Sequence, residues 1–587
     1  MHTRKGSLSL SPWPSRARTG TRWTGLFIFI VIFILLLHRP KGPLWFLPSL
    51  QSTHSCSVKL SYPAVVTSSD ARFDWRTSIQ QHPVGRLAQL PIWTREGLPR
   101  IQYDFSLHTP SYQETAVRKG RQAAVKATFK RHWNAHKTGS LNDRTPQPSV
   151  DRSIVLAETL ETFRIMGLRK EFEEAITVIT GTDFAPDERV TSLLQTTQLL
   201  SALLSAYDIT TCKDARLLSK AMEVGDMLYT FFDTPNRLPV TRWNATKAAN
   251  GEEQQVSQHA TLADLTSYSL AFTRLSQLTR DMRFYDAVAR TITILASQQS
   301  RTRIPGLWPA DINLQNLDLT SSNTFNLHTT SHSAYAHSAL MTRFLGTSSA
   351  ASPYTTVSTN ALDATIRHLL FRPITPTNAS ILMASTAYTT PKGHITRTHT
   401  IDASSCALGS TLALSAALTH NDTHLAYARL VTEGCIWTSL HAPPSPLGHI
   451  NAMPESFSML ACSSAALKNS AQNCTFEPAV WPTQVYPGFE KVWDAKRTTV
   501  RPEMVMSLFA LYRVTGEERW RDVAWEMWTS VERVVAARLE QLRDEEELRM
   551  TTQTLKFFYL LFGDPAMFSL DEWVFGSDGH ALWAGMS

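Results

Sequence analysis

The chain has 587 residues, 43% hydrophobic and 18% charged, enough apolar material for one large domain or two or three average ones. Its net charge is +7, but five positive charges (Arg4, Lys5, Arg16, Arg18, Arg22) precede residue 23, and no Lys/Arg run is interleaved with aromatics, so nucleic acid is not indicated as a partner. The six cysteines form no CxxC or Cys/His cluster, which removes a zinc signature and leaves room for one or two bridges.

Taken in chain order, residues 1–22 are a basic tail and residues 23–37, "WTGLFIFIVIFILLL", are an uncharged, mostly apolar run. Fifteen residues is slightly short of the roughly 17–25 of a membrane span and within reach of a signal-peptide core. The following "HRPKGPLWF" lacks a small-residue cleavage site, which favours a signal anchor over a cleaved peptide. Positive charge on the N-terminal side then predicts a type II arrangement: a cytoplasmic tail, a membrane partner and a lumenal body. Four N-x-Ser/Thr sequons, at Asn244, Asn378, Asn421 and Asn473, suit that location.

Residues 38–110, rich in Pro, Ser and Thr without sustained period, read as a stem. From residue 111 to 587 the pattern is helical almost throughout. Hairpins of two amphipathic helices recur at 156–179, 199–228, 270–295, 333–370, 412–431, 508–528 and 557–575. Seven pairs can stack as an open solenoid or close into an (α/α)7 toroid. The long inserts 232–258, 299–331, 371–403 and 438–500 argue for closure around a central site that they line or cover. The expected fold is therefore all-α, an (α/α)7 barrel after an anchor and stem.

The segments "RQAAVKATFKRHW", "LETFRIMGLRKEFEEA", "LLSAY", "FDTPNRLPV", "LTSYSLAFTRLSQLTRD", "RPEMVMSLFALYRVTGEERWRDVAWEMW" and "TLKFFYLLFGDP" resemble glycoside hydrolase family 47, the class I α-1,2-mannosidases, over roughly residues 110–582. The resemblance implies a lumenal, inverting glycosidase that trims mannose from high-mannose N-glycans, alone or on glycoproteins, with a Ca2+ ion deep in the barrel. It assigns Glu503, after Pro502, as the general base that activates water. It matches Asp264, Asp402, Glu455, Arg501 and Glu547 to substrate-binding positions, and Ser577 to the family's calcium-contacting Thr. It also pairs Cys406 with Cys435. From spacing alone, Cys462 and Cys474 could close a small loop.

An inverting glycosidase needs two carboxyl groups about 6.5–9.5 Å apart, one of them protonated. Here the family's acid positions are occupied by other residues. Leu194 replaces a Glu and Gln198 an Arg, His332 replaces an Asp, and Ala336, Met506 and Gln553 replace three Glu residues. Ala403 stands at a His. An imidazolium at His332 could replace the missing acid; a neutral, space-filling histidine is the alternative. Glu503 itself could be an ordinary helix-start acid favoured by the helix dipole, and Ser577 a plain polar residue. Two functions follow: a divergent calcium-dependent mannosidase with impaired or altered catalysis, or a catalytically inactive barrel that binds glycans or glycoproteins. A changed reaction in the same cavity is a third.

Overall fold

The computed structural model describes residues 73–94, 96–140, 150–443, 453–462, 474, 476, 486–493, 501–538 and 545–585. The expected tail (1–22), anchor (23–37) and first part of the stem, and the sequon at Asn473, lie outside the described residues. Among the described residues no helix is long and apolar enough to cross a membrane.

Fourteen long helices stand out among the described residues: α1 (Tyr112–Ser140), α2 (Val150–Ile165), α3 (Arg169–Thr180), α4 (Leu193–Ile209), α5 (Ala215–Thr230), α6 (Ser269–Thr279), α7 (Met282–Gln298), α8 (His332–Leu345), α9 (Ser352–His368), α10 (Ala407–Thr419), α11 (Asp422–Leu440), α12 (Pro502–Thr515), α13 (Arg519–Arg538) and α14 (Glu545–Leu561). The even-numbered helices form an inner ring. Each packs on the next, and α14 packs on α2 to close the circle. Each odd-numbered helix lies outside: α3, α5, α7, α9, α11 and α13 each pack on the inner helix that precedes them, and α1 packs on α14. Inner helices are buried nearly all round, as in α4 from Leu199 to Ile209, whereas outer helices such as α7 bury only one face.

The turn chemistry explains why the hairpins form. Inner helices α6, α10 and α12 end on a left-handed residue, Arg280, His420 and Gly516 respectively. Gly516 needs its freedom twice over, since a Cβ there would also meet the Tyr103 ring at 2.4 Å. The outer helices α5, α7 and α11 then start on Asp214, Asp281 and Asn421, whose side chains accept a backbone N–H of the first turn. Because every outer helix runs back, all inner helices point the same way, and their N-termini ring one end of the barrel. From the opposite end an antiparallel hairpin, Trp573–Phe575 with Ala581–Trp583, enters the ring and packs on α4.

The structure corrects two expectations. The seventh pair is not 557–575. The "GDP" sequence after Leu561 ends α14, and the following residues form the hairpin plug, so α14 takes α1, from the other end of the domain, as its outer partner. The stem boundary also moves. Residues 73–110 wrap the barrel, where backbone amides of Gln81 and His82 bond Asp233 at 2.7 and 2.8 Å, Ala88 bonds Asp286 at 2.8 Å and Ile101 bonds Asp571 at 2.7 Å. Such irregular backbone, held by acids in the turn after α5, in α7 and in the segment before the hairpin plug, has no periodicity to reveal it.

Candidate functional site at the ring of helix N-termini

The expected site residues gather at the mouth formed by the inner-helix N-termini. Leu194 is the second residue of α4, and Asp264 lies in the short helix Leu262–Thr266 before α6. His332 begins α8, Asp402 caps the 3-10 turn leading into α10, Arg501 and Glu503 flank the start of α12, and Glu547 is in the first turn of α14. Pro502 occupies the first turn of α12, where its missing N–H would have had no partner.

One small sheet aligns half of the cluster. Thr400–Asp402 pairs with Ser456–Ser458, which pairs with Lys491–Trp493, and Asp402 lies opposite Ser456. The carbonyl of Glu455 accepts the N–H of Ala403 at 2.9 Å, so Glu455 and Asp402 are neighbours. Arg501 then joins the sheet to α12. Its Nη1 donates to Glu455 at 2.7 Å and its Nη2 to Glu503 at 3.1 Å. Burial works against the guanidinium charge, but Glu503, and then Asp402 and Glu455, outweigh it and hold the Arg501 pKa above its usual value. Glu503 is only 5% exposed.

His332 is half-buried near Glu503, with both ring nitrogens shielded from solvent. Burial lowers its pKa below the ordinary value, and the Glu503 charge opposes this only in part. Neither ring nitrogen has a well-formed hydrogen bond, although the Ser577 backbone is close. Asp264 spends one carboxylate oxygen on a capping box, accepting the Thr261 N–H at 2.8 Å and hydroxyl at 2.7 Å. Asp402 likewise accepts the N–H of Ser404 at 2.9 Å.

Two histidines were not singled out from the sequence. His328 stands at the mouth, where burial lowers its pKa and Asp402 raises it. His337, a turn and a half into α8, accepts at Nε2 from the Ser577 N–H at 3.1 Å and lies 2.9 Å from the Ser577 hydroxyl. The available signal was the clustering of histidines in "HTTSHSAYAH". Also missed was a fully buried network behind the floor, where Glu161 meets Lys556 at 3.2 Å and His580 at 2.8 Å. Both expected bridges are present, Cys406–Cys435 with Cα atoms 6.0 Å apart and Cys462–Cys474 at 5.5 Å. Among the described sequons, Asn378 is exposed, and Asn244 and Asn421 cap helices through their side-chain oxygens.

The residues around Ser577 do not fit the calcium ion that the resemblance implies. They enclose about 20 Å³, with Ala336, Met506, Phe575 and Leu414 in the lining and no carboxylate. That is room for roughly one water, whereas calcium takes about 6–8 oxygen ligands. Among the described residues no group of three or more His, Cys, Asp or Glu side chains could hold a metal.

The family model for glycosyl hydrolase family 47 matches residues 130–584. The chain belongs to that family. The human endoplasmic reticulum mannosyl-oligosaccharide 1,2-alpha-mannosidase is 27% identical over 491 residues, covering 79% of this chain and 64% of the human protein, so the chain spans just under two thirds of that relative's length. A mannosyl-oligosaccharide 1,2-alpha-mannosidase of Arabidopsis thaliana is 26% identical over 80% of each chain. Among solved structures, an alpha-1,2-mannosidase from Trichoderma reesei superposes with a TM-score of 0.65 at 20% identity, covering 80% of this chain and 99% of that one, which supports the family 47 barrel as the fold.

Proposed function

We propose that this chain is a mannose-recognising barrel of the secretory pathway that engages high-mannose N-glycans with hydrolysis severely impaired. The segment 23–37 would anchor it in the endoplasmic reticulum or Golgi membrane with the barrel in the lumen. Family membership and the names of the relatives support the ligand class. The loss of catalysis is read from the side chains of the mouth: Glu503, which would serve as base, is tied to Arg501, and the neighbouring His332 has its pKa lowered by burial, which weakens it as a proton donor.

An inverting hydrolysis needs a protonated group on the leaving oxygen and an ionised one on water, from opposite faces of the sugar. Glu503 can take the second role. A neutral His332 is itself a base, and Leu194 cannot carry a proton. Removing general acid assistance costs about 10²–10⁴-fold. Recognition asks less. The Arg501–Glu455 pair and Asp402 present a fixed fork of donors and acceptors suited to vicinal sugar hydroxyls.

A residual hydrolase, with Glu503 as base and His332 as acid, is favoured by the closeness of His332 to Glu503 and by the lack of a well-formed hydrogen bond at either ring nitrogen. Its rate would rise as pH falls and His332 protonates. Retention of the purified protein on an immobilised high-mannose glycan, eluted by free glycan and weakened in Arg501→Met, tests the recognition. Passage of the native protein without retardation would refute it.

A further inference from the structure

Below Glu503 the barrel floor is built differently from the expected one. The tip of the hairpin plug, Ser577, faces α8 and is gripped there by one imidazole. His337 Nε2 receives the Ser577 backbone N–H at 3.1 Å and lies 2.9 Å from its hydroxyl. On the other side of the ring, Nδ1 lies 3.1 Å from the Ser269 hydroxyl and 3.3 Å from the Thr266 carbonyl. A carbonyl can only accept, so the ring carries its proton on Nδ1 and offers Nε2 as an acceptor to Ser577. Tautomer and backbone amide are mutually consistent; His337, Ser269 and Thr266 are buried, and Ser577 is half-buried.

This grip directs the N–H and hydroxyl proton of Ser577, the residue that the family resemblance assigns to a cation, toward His337. The surrounding wall is closed by Ala336, Met506 and Phe575, and the remaining space is about 20 Å³. Asp578, next in sequence, is turned to the N–H of His580 at 3.1 Å, and Glu161 is already paired with Lys556 and His580. Among the described residues that line this space there is no carboxylate.

We infer that the barrel floor is a metal-free plug in which His337 clamps the hairpin Trp573–Phe575/Ala581–Trp583 to α8, so that the chain folds and holds its mouth without calcium. The clamp is a positioning device. Its tip meets the mouth cluster only where the Ser577 backbone lies close to His332, and the inference holds whether or not the protein hydrolyses mannosides.

The test starts with the unaltered full chain, titrated with calcium chloride by calorimetry and melted in chelator and in about 1 mM calcium. No saturable heat and superimposable melting curves are expected. Saturable binding tighter than about 10⁻⁴ M with a higher melting temperature in calcium would overturn the inference. The second arm compares hydrogen exchange of residues 573–583 in the native chain, His337→Gln and His337→Phe. Loss of the acceptor in His337→Phe should speed exchange by about tenfold, and the amide oxygen of Gln should restore part of the protection. Equal protection in all three would show that His337 is not the clamp.

Discussion

The account of the fold can be tested at one buried ion pair. Asp208 on α4 is 0% exposed and Arg274 on α6 is 2% exposed. The guanidinium approaches Asp208 at 3.0 Å through Nε and 2.7 Å through Nη2, and the Trp583 N–H of the hairpin plug donates to the same carboxylate at 2.9 Å. Arg274 also reaches Gln277, whose amide bonds the Phe344 carbonyl at 3.0 Å on α8. Three inner helices and the plug thus share one charge pair. Arg274→Met strands the carboxylate with Trp583 as its remaining backbone donor, and breaking such a pair costs about 3–5 kcal/mol. Protonation of the stranded acid limits the loss, so its folded pKa rises above the unfolded value of about 3.9. The destabilisation is then full above that raised pKa and shrinks as pH falls through it. The assay is urea unfolding at pH 7.5 and pH 5, comparing midpoints at constant slope. The double variant Asp208→Leu/Arg274→Met should recover much of the loss, since an apolar pair of similar volume is often neutral. A loss below about 1 kcal/mol for Arg274→Met, or a double variant no better than the single, would refute the reasoning.

Other consequences follow from particular side chains. Burial, with the charge of His136 second, lowers the His132 pKa to about 4, so the folded chain resists protonation there while the unfolded chain does not. Stability should be fully present above about pH 6.5 and fall as pH drops toward 4, by about 3 kcal/mol from this group, and His132→Phe should flatten the slope. Cys406→Ala/Cys435→Ala should cost roughly 2–5 kcal/mol in the same assay, because the bridge ties α11 to the turn that leads into α10. Leu194→Glu combined with His332→Asp, which restores acids at the mouth, should raise mannose release by about 10²–10⁴-fold over the native chain. No gain in a folded double variant would mean that the missing proton donor is not what limits catalysis.

Much of this architecture was legible in the sequence. The recurring pattern of paired amphipathic helices marked six of the seven pairs, and the resemblance assigned Cys406–Cys435 and brought Glu503, Glu455 and Arg501 into one site. Three things were not legible, each for a physical reason. The partnership of α1 with α14 joins segments more than four hundred residues apart, so no local pattern encodes it. The belt of residues 73–94 and 96–110 is held by irregularly spaced contacts, among them amide-to-carboxylate bonds, the Arg76–Asp226 pair and the buried Trp75, which leave no periodic trace. The role of His337 depends on the hairpin tip lying opposite it, and a histidine on an inner helix otherwise reads as filler.

The central claim is that the mouth has kept recognition and lost its proton donor. The most direct measurement incubates the purified chain at neutral pH with a high-mannose N-glycan and quantifies free mannose alongside glycan bound. The account predicts retained glycan and mannose release too slow to separate from the Glu503→Gln variant. Multiple-turnover release that Glu503→Gln abolishes would contradict it.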